Sequence, residues 1–191
     1  MIKEILEKDR AYFAGLFDGE GTVRITKGIH KNKNGNNNTH YSLHVSFDLT
    51  YKPVLLRMQM YFGGNVQAKN MDKLRNNPSA LKAAAAGITS PEKWKREYLY
   101  YLSGRDALYF LKVIKPFSDE KQQQVELAIQ YEEGRRTHTN SGRSNHETER
   151  CEFYHQELMR LKHVDCSGEN NEIPFGFEDE QQSIFEFVEE I

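Results

Sequence analysis

The chain has 191 residues, enough for one domain, or one domain with an extension, around a sizeable core. Two cysteines, Cys151 and Cys166, exclude a disulfide framework, and the lack of a long apolar run or a signal-like start excludes a helical membrane protein. A soluble, intracellular protein is expected, of a bacterial cytoplasm, a phage host or an organelle. The net charge of −2 averages two opposite regions: residues 21–100 hold 13 Lys/Arg against 4 Asp/Glu, and residues 165–191 hold no Lys/Arg against 9 Asp/Glu. That asymmetry suggests a basic working surface and an acidic tail.

Residues 2–20 read as helix with a break near Asp9, which is placed to cap the segment after it. Phe13, Leu16 and Phe17 recur at helical spacing, and Gly21 stands where a helix-ending glycine usually stands. Residues 22–27 alternate as a strand. Residues 28–40, rich in asparagine with an Asn34-Gly35 turn signal, read as a long hairpin tip. Residues 41–50 alternate clearly, with Leu43, Val45, Phe47 and Leu49 on one face and Ser42, His44, Ser46 and Asp48 on the other.

Residues 53–62 form a second helix closed by Gly63-Gly64, followed by a short strand over 65–69. Turn-formers and an alanine run over 70–93 suggest an excursion with a short helix. A fourth strand over 97–102 and helices over 106–114 and 118–133 complete an α+β order: an antiparallel sheet with one buried and one polar face. A polar linker over 135–145 leads to Ser144-x-x-Glu147, a capping box for a helix to about His163. The acidic tail beyond Asp165 carries Phe175, Phe177, Ile184, Phe185, Phe187 and Val188, which predict that its last turns dock on something.

The first helix ends unusually. Asp18 and Glu20 lie in its last turn, at the negative end of the helix dipole, where cations are favoured. A compensating positive charge is therefore expected, and a divalent cation supplies one. Gly15 and Gly19 are four apart, and each costs about 1 kcal/mol relative to alanine inside a helix. Two of them predict a close backbone contact with another helix.

Phe13-Ala-Gly-Leu-Phe-Asp-Gly-Glu-Gly21 resembles the motif of the LAGLIDADG homing endonucleases. Phe13 and Phe17 replace the family's first leucine and its isoleucine, Gly19 its second alanine, and Glu20 its second aspartate. The resemblance covers roughly residues 8–134. Its second anchor is Tyr98-Leu-Tyr-Tyr-Leu-Ser-Gly104, followed by the 106–117 helix with its Pro116-Phe117 end and by Lys121-Gln-Gln-Gln124. The implied fold is the LAGLIDADG one: a sheet saddle on helices, residues 1–134, with a helical and acidic extension over 135–191.

Only one motif is present, and single-motif members of that family work as homodimers on palindrome-like double-stranded DNA. The implied reaction is hydrolysis of one phosphodiester in each strand. Glu20 and the Gly19 backbone carbonyl would hold the metal, magnesium by default, with calcium or manganese able to substitute in binding. Lys121 matches a basic residue placed near the scissile phosphate. Where some members carry a water-organising glutamine and arginine, this chain has Tyr51 and Leu55, with Lys52 and Arg57 nearby.

The expected DNA readers are Arg24, Thr26, Ser42, His44, Ser46, Asp48, Gln67, Lys69 and Tyr100, while Lys27, Lys31 and Lys33 are expected to meet phosphates. Cys151, His155, His163 and Cys166 have a spacing that zinc tolerates, but the mixed pairs favour a buried Cys151 and exposed histidines. Two function classes stay open: an endonuclease, and a non-cleaving nucleic-acid-binding relative such as a maturase or regulator. Glu20 between Gly19 and Gly21 favours the first.

Overall fold

The computed structural model describes residues 4–31, 37–135 and 145–162. The first helix, α1, spans Glu7–Glu20 and so begins later than the hydrophobic pattern implies. Asp9 does not cap it. It lies inside the first turn, where the dipole favours a carboxylate, and accepts a hydrogen bond from the Tyr61 hydroxyl at 3.2 Å.

Strands β1 (Gly21–Lys31) and β2 (Asn37–Leu49) follow, and both run further than their alternation suggested. Most of the asparagine-rich stretch expected to be a hairpin tip is ladder, with Gly28 opposite His40 and Ile29 opposite Thr39. Backbone pairing to a neighbour has overridden the local turn composition. Then come α2 (Lys52–Phe62), β3 (Asn65–Ala68) and two short helices, α3 (Met71–Arg75) and α4 (Pro78–Ala85). Asn70 and Asn77 cap these two, each side chain accepting a backbone N–H. The remaining elements of the described residues are β4 (Tyr98–Ser103), α5 (Gly104–Ile114), α6 (Gln122–Glu133) and α7 (Asn145–Leu161).

The four strands form one antiparallel sheet in the order β1-β2-β4-β3. Val23, Ile25, Leu43, Val45, Phe47, Tyr100 and Leu102 are buried on one face. Helices α1, α2 and α5 cover that face and contribute Phe13, Phe17, Leu55, Met58, Phe62 and Phe110 to the same core. The Phe110 ring is central, with centroids of Phe17, Phe47 and Phe62 at 5.9, 5.7 and 5.0 Å, all edge-on. From α7, Cys151 and Leu158 join this core as well. Among the described residues no helix is long and apolar enough to cross a membrane.

Candidate nucleic-acid interface and acidic site

At the end of α1 the chain turns straight into β1 through Gly21. Its φ of −77° is extended rather than left-handed, so the usual reason for a helix-ending glycine does not apply. Space is the reason: a Cβ on Gly21 would lie 2.8 Å from the Cα and carbonyl oxygen of Phe17.

The two acids of this turn have different fates. Asp18 accepts the Ser118 hydroxyl at 2.6 Å and the Asp119 backbone N–H at 2.9 Å. Those contacts hold residues 118–119 in a turn, so α6 begins at Gln122 rather than at Ser118. Glu20 is exposed at the tip, and none of the contacts that hold Asp18 uses it.

Lys121 sits beside them. Its ammonium donates to the carbonyls of Phe17 at 2.9 Å and Gly21 at 2.8 Å. A lysine on the last carbonyls of a helix stabilises the negative end of the dipole, so part of the compensating charge comes from the chain itself. Burial lowers the Lys121 pKa, while the charges of Asp18, Glu120 and Glu20 act in the opposite direction. Two of the three ammonium protons are engaged on carbonyls, which leaves one for an outside acceptor.

Among the described residues no three His, Cys, Asp or Glu side chains are grouped to hold a metal. At this turn Glu20 offers an exposed carboxylate next to the Gly19 carbonyl. Hard oxygen donors of this kind fit magnesium, which keeps several waters and relies on few protein ligands plus substrate phosphate. Gly15 and Gly19 are exposed, and a Cβ built on either would meet nothing within 4 Å, so that stripe of α1 is uncovered in the single chain.

The face of the sheet away from the helices carries Thr22, Arg24 and Thr26 from β1 and Ser42, His44, Ser46 and Asp48 from β2, in cross-strand register. Gln67 of β3 is exposed opposite Leu99. His44 is half-buried, bonded through Nδ1 to the Tyr101 hydroxyl and stacked on that ring at 4.9 Å. Burial, then the nearby Arg24 charge, lowers its pKa, which keeps the imidazole neutral.

Four expected readers, and one lysine expected to meet phosphate, stand differently from the sequence reading. Tyr100 is fully buried and donates its hydroxyl to the Gly63 carbonyl at 2.9 Å; its neighbour Tyr101, opposite Ser46, is the tyrosine on the open face. Lys27 shares the parity of Val23 and Ile25, so it lies on the helix side and pairs with Glu152 of α7 at 2.8 Å. Ser46 is on the open face but only 6% exposed, opposite the much larger Tyr101. Lys69 is 2.8 Å from Asp48 and 3.1 Å from Glu97, so these two readers are paired with charges of the sheet itself.

Thr22 and Tyr101 are two open-face residues that the sequence reading missed. Extending the alternation of β1 back by two residues finds the first. Ser103 finds the second, because a serine facing out fixes Tyr101 and Leu99 as its companions. Lys31 ends β1, and Lys33 lies outside the described residues, as do the tip 32–36, Ser144 of the capping box, His163, Cys166 and the acidic tail.

Two further candidates resolve plainly. Leu55 is buried, and Arg57 is spent on the Tyr12 ring at 4.9 Å and on Asp9 at 3.8 Å. Cys151 is buried as expected, but His155 is half-buried rather than exposed and donates through Nδ1 to the Ile25 carbonyl at 2.6 Å.

No protein-family model and no curated protein matches the chain. Solved structures do. The homing endonuclease I-CvuI in complex with its target and calcium matches with a TM-score of 0.57 at 13% identity, over 83% of this chain and 85% of that one. The archaeal intron-encoded homing endonuclease I-Vdi141I, complexed with DNA, matches with a TM-score of 0.54 at 15% identity, over 83% of this chain and 87% of that one. I-CvuI on a second target, with magnesium and uncleaved DNA, gives 0.56 at 14% identity over 84% and 85%. At such identities the likeness is one of fold.

Proposed function

We propose that this chain, which has the fold of the LAGLIDADG homing endonucleases, is a site-specific double-strand DNA endonuclease that works as a homodimer. The observation that carries the reading is the division of labour at the end of α1. Asp18 and Lys121 hold the turn in place, while the Glu20 carboxylate stays exposed beside the Gly19 carbonyl. A core or a solvated helix end has no need of so firmly built a platform for one open acid.

Glu20 and the Gly19 carbonyl of each copy would hold the divalent ion, which when bound supplies a Lewis acid and an activated water for phosphodiester hydrolysis. Lys121 positions the turn and keeps one proton for the phosphate. The open glycine stripe of α1 suits the helix of a second copy, which brings two Glu20 carboxylates together and calls for a two-fold DNA site. Arg24, Thr26, Ser42, His44, Gln67 and Tyr101 face the groove, and structural neighbours carrying DNA support that use of the sheet. Residues 1–134 form the catalytic unit, and 135–191 its extension.

The test is cleavage with magnesium of a duplex that the wild type selects from a randomised pool. Glu20→Gln keeps shape and loses the charge, so at equal DNA occupancy it binds and scarcely cuts. In calcium the wild type binds without cutting. Equal cutting by both proteins in magnesium rules this site out, and a wild type that binds but never cuts leaves a non-cleaving DNA-binding role. Light scattering gives a dimer for the wild type and a monomer for Gly15→Leu; a monomeric wild type that cuts both strands sinks the homodimer.

A further inference from the structure

Helix α7 runs antiparallel to β1, along the edge of the sheet. Glu152 meets Lys27, and three residues later His155 meets the carbonyl of Ile25. From His155 to Lys162 the chain rises about 10 Å at helical pitch. Three residues of strand, from Ile25 back to Thr22, cover about the same distance. Lys162, whose N–H closes the helix on the Met159 carbonyl at 3.2 Å, therefore comes level with the start of β1, two residues from Glu20.

Its surroundings at that point are cationic. Lys162 is half-buried, and its pKa is lowered first by that burial and then by the charges of Arg24 and Lys121. A lysine at a helix C-terminus is accounted for by the dipole. Helix α7 also runs antiparallel to α6, because Arg150 donates to the Gly134 carbonyl at 2.6 Å, and the twelve residues from Arg150 to Lys162 match the twelve from Gly134 back to Gln122. The end of α7 is thereby level with the start of α6, where Lys121 stands, as well as with the start of β1, and the gathering of a guanidinium and a second ammonium there is not accounted for by the dipole. Like charges gathered at a half-buried place raise the energy of the free protein, and an anion seated among them removes that cost.

We propose that Lys162 is a phosphate-contacting residue, which with Arg24 and Lys121 forms a cationic seat for a DNA backbone phosphate beside Glu20. On the endonuclease reading above, that phosphate is at or next to the scissile one. The extension beyond residue 134 thereby contributes a side chain to the working site.

The experiment compares wild type, Lys162→Met and Lys162→Arg on the duplex selected by the wild type, first as binding against salt concentration in calcium. Lys112→Met is the control, since Lys112 lies on α5 and pairs with Glu133 at 2.5 Å. Loss of one phosphate contact lowers the salt slope by about one. That drop is expected for Lys162→Met, with recovery in Lys162→Arg and none in the control. In magnesium, Lys162→Met should also slow single-turnover cleavage at saturating protein about tenfold.

A Lys162→Met protein with native circular dichroism and an unchanged slope overturns the proposal. A wild type that binds and does not cut overturns the endonuclease reading, while the slope still decides on Lys162. A wild type that binds no duplex overturns both.

Discussion

The two faces of the sheet are made from the same four strands, yet they obey different rules. On the helix side, shape decides: Phe13, Phe17, Phe47, Phe62, Tyr100 and Phe110 interlock, and Lys27, a charged residue of β1 on that side, is matched by Glu152. On the open side, hydrogen bonding and charge decide: His44 leans on Tyr101, Lys69 is held between Asp48 and Glu97, and Arg24 and Gln67 are exposed. Lys27 and Arg24 lie three residues apart on one strand and differ only in parity. Parity, rather than residue type, decides which cation holds the protein together and which stands on the open face.

If that contrast is right, the largest effect on stability comes from the helix side. Phe110→Ala removes the ring that touches Phe17, Phe47 and Phe62, and should cost about 3–5 kcal/mol in chemical denaturation. A loss below about 1 kcal/mol would mean that the core closes over the gap and is not the shape-determined side described above.

A sharper comparison uses two adjacent tyrosines. Burial, then Asp106, pushes the Tyr100 hydroxyl well above its ordinary pKa, so it remains a donor to the Gly63 carbonyl. Tyr100→Phe should cost about 1–2 kcal/mol, because it leaves that carbonyl without its partner, and should not change DNA preference. Tyr101→Phe should change stability little and alter base preference through His44, read by selection from a randomised duplex pool. The reverse pattern would exchange the two faces of β4.

Much of this was legible in advance. The Pro53 start and Gly63-Gly64 stop placed α2 within a residue, and the strict alternation from Leu43 to Leu49 placed the end of β2 though not its start, because each carries its own local signal. Glu20 was legible too, as an acid at a helix end that disfavours it. What stayed hidden depends on partners far along the chain. The bonds from Lys121 to Phe17 and Gly21, and from Ser118 to Asp18, span 100 residues or more, and that between Lys27 and Glu152 spans 125. In Tyr98-Leu-Tyr-Tyr-Leu-Ser each parity carries a tyrosine and a leucine, and the single serine at the end, Ser103, is the one signal that turns Tyr101 rather than Tyr100 outward.

The smallest expected effect tests the ion pair that lets a lysine sit on the helix side. Hydrogen bonds from Lys27, Tyr41 and Gln156 hold the Glu152 carboxyl at about 2, below its ordinary value of 4.5. A carboxylate with a depressed folded pKa adds stability above its unfolded pKa, and that share is lost as pH falls toward the folded value. The contribution is therefore complete at neutral pH and disappears between about 4.5 and about 2. Solvent keeps it modest, since the Lys27 and Glu152 side chains are 41% and 30% exposed. Glu152→Gln should thus be slightly less stable than wild type at neutral pH, and the two denaturation curves should converge across that acid window. A gap that stays constant down to the acid end would mean that packing of α7 against β1, and not the charge on Glu152, accommodates Lys27 on the covered face.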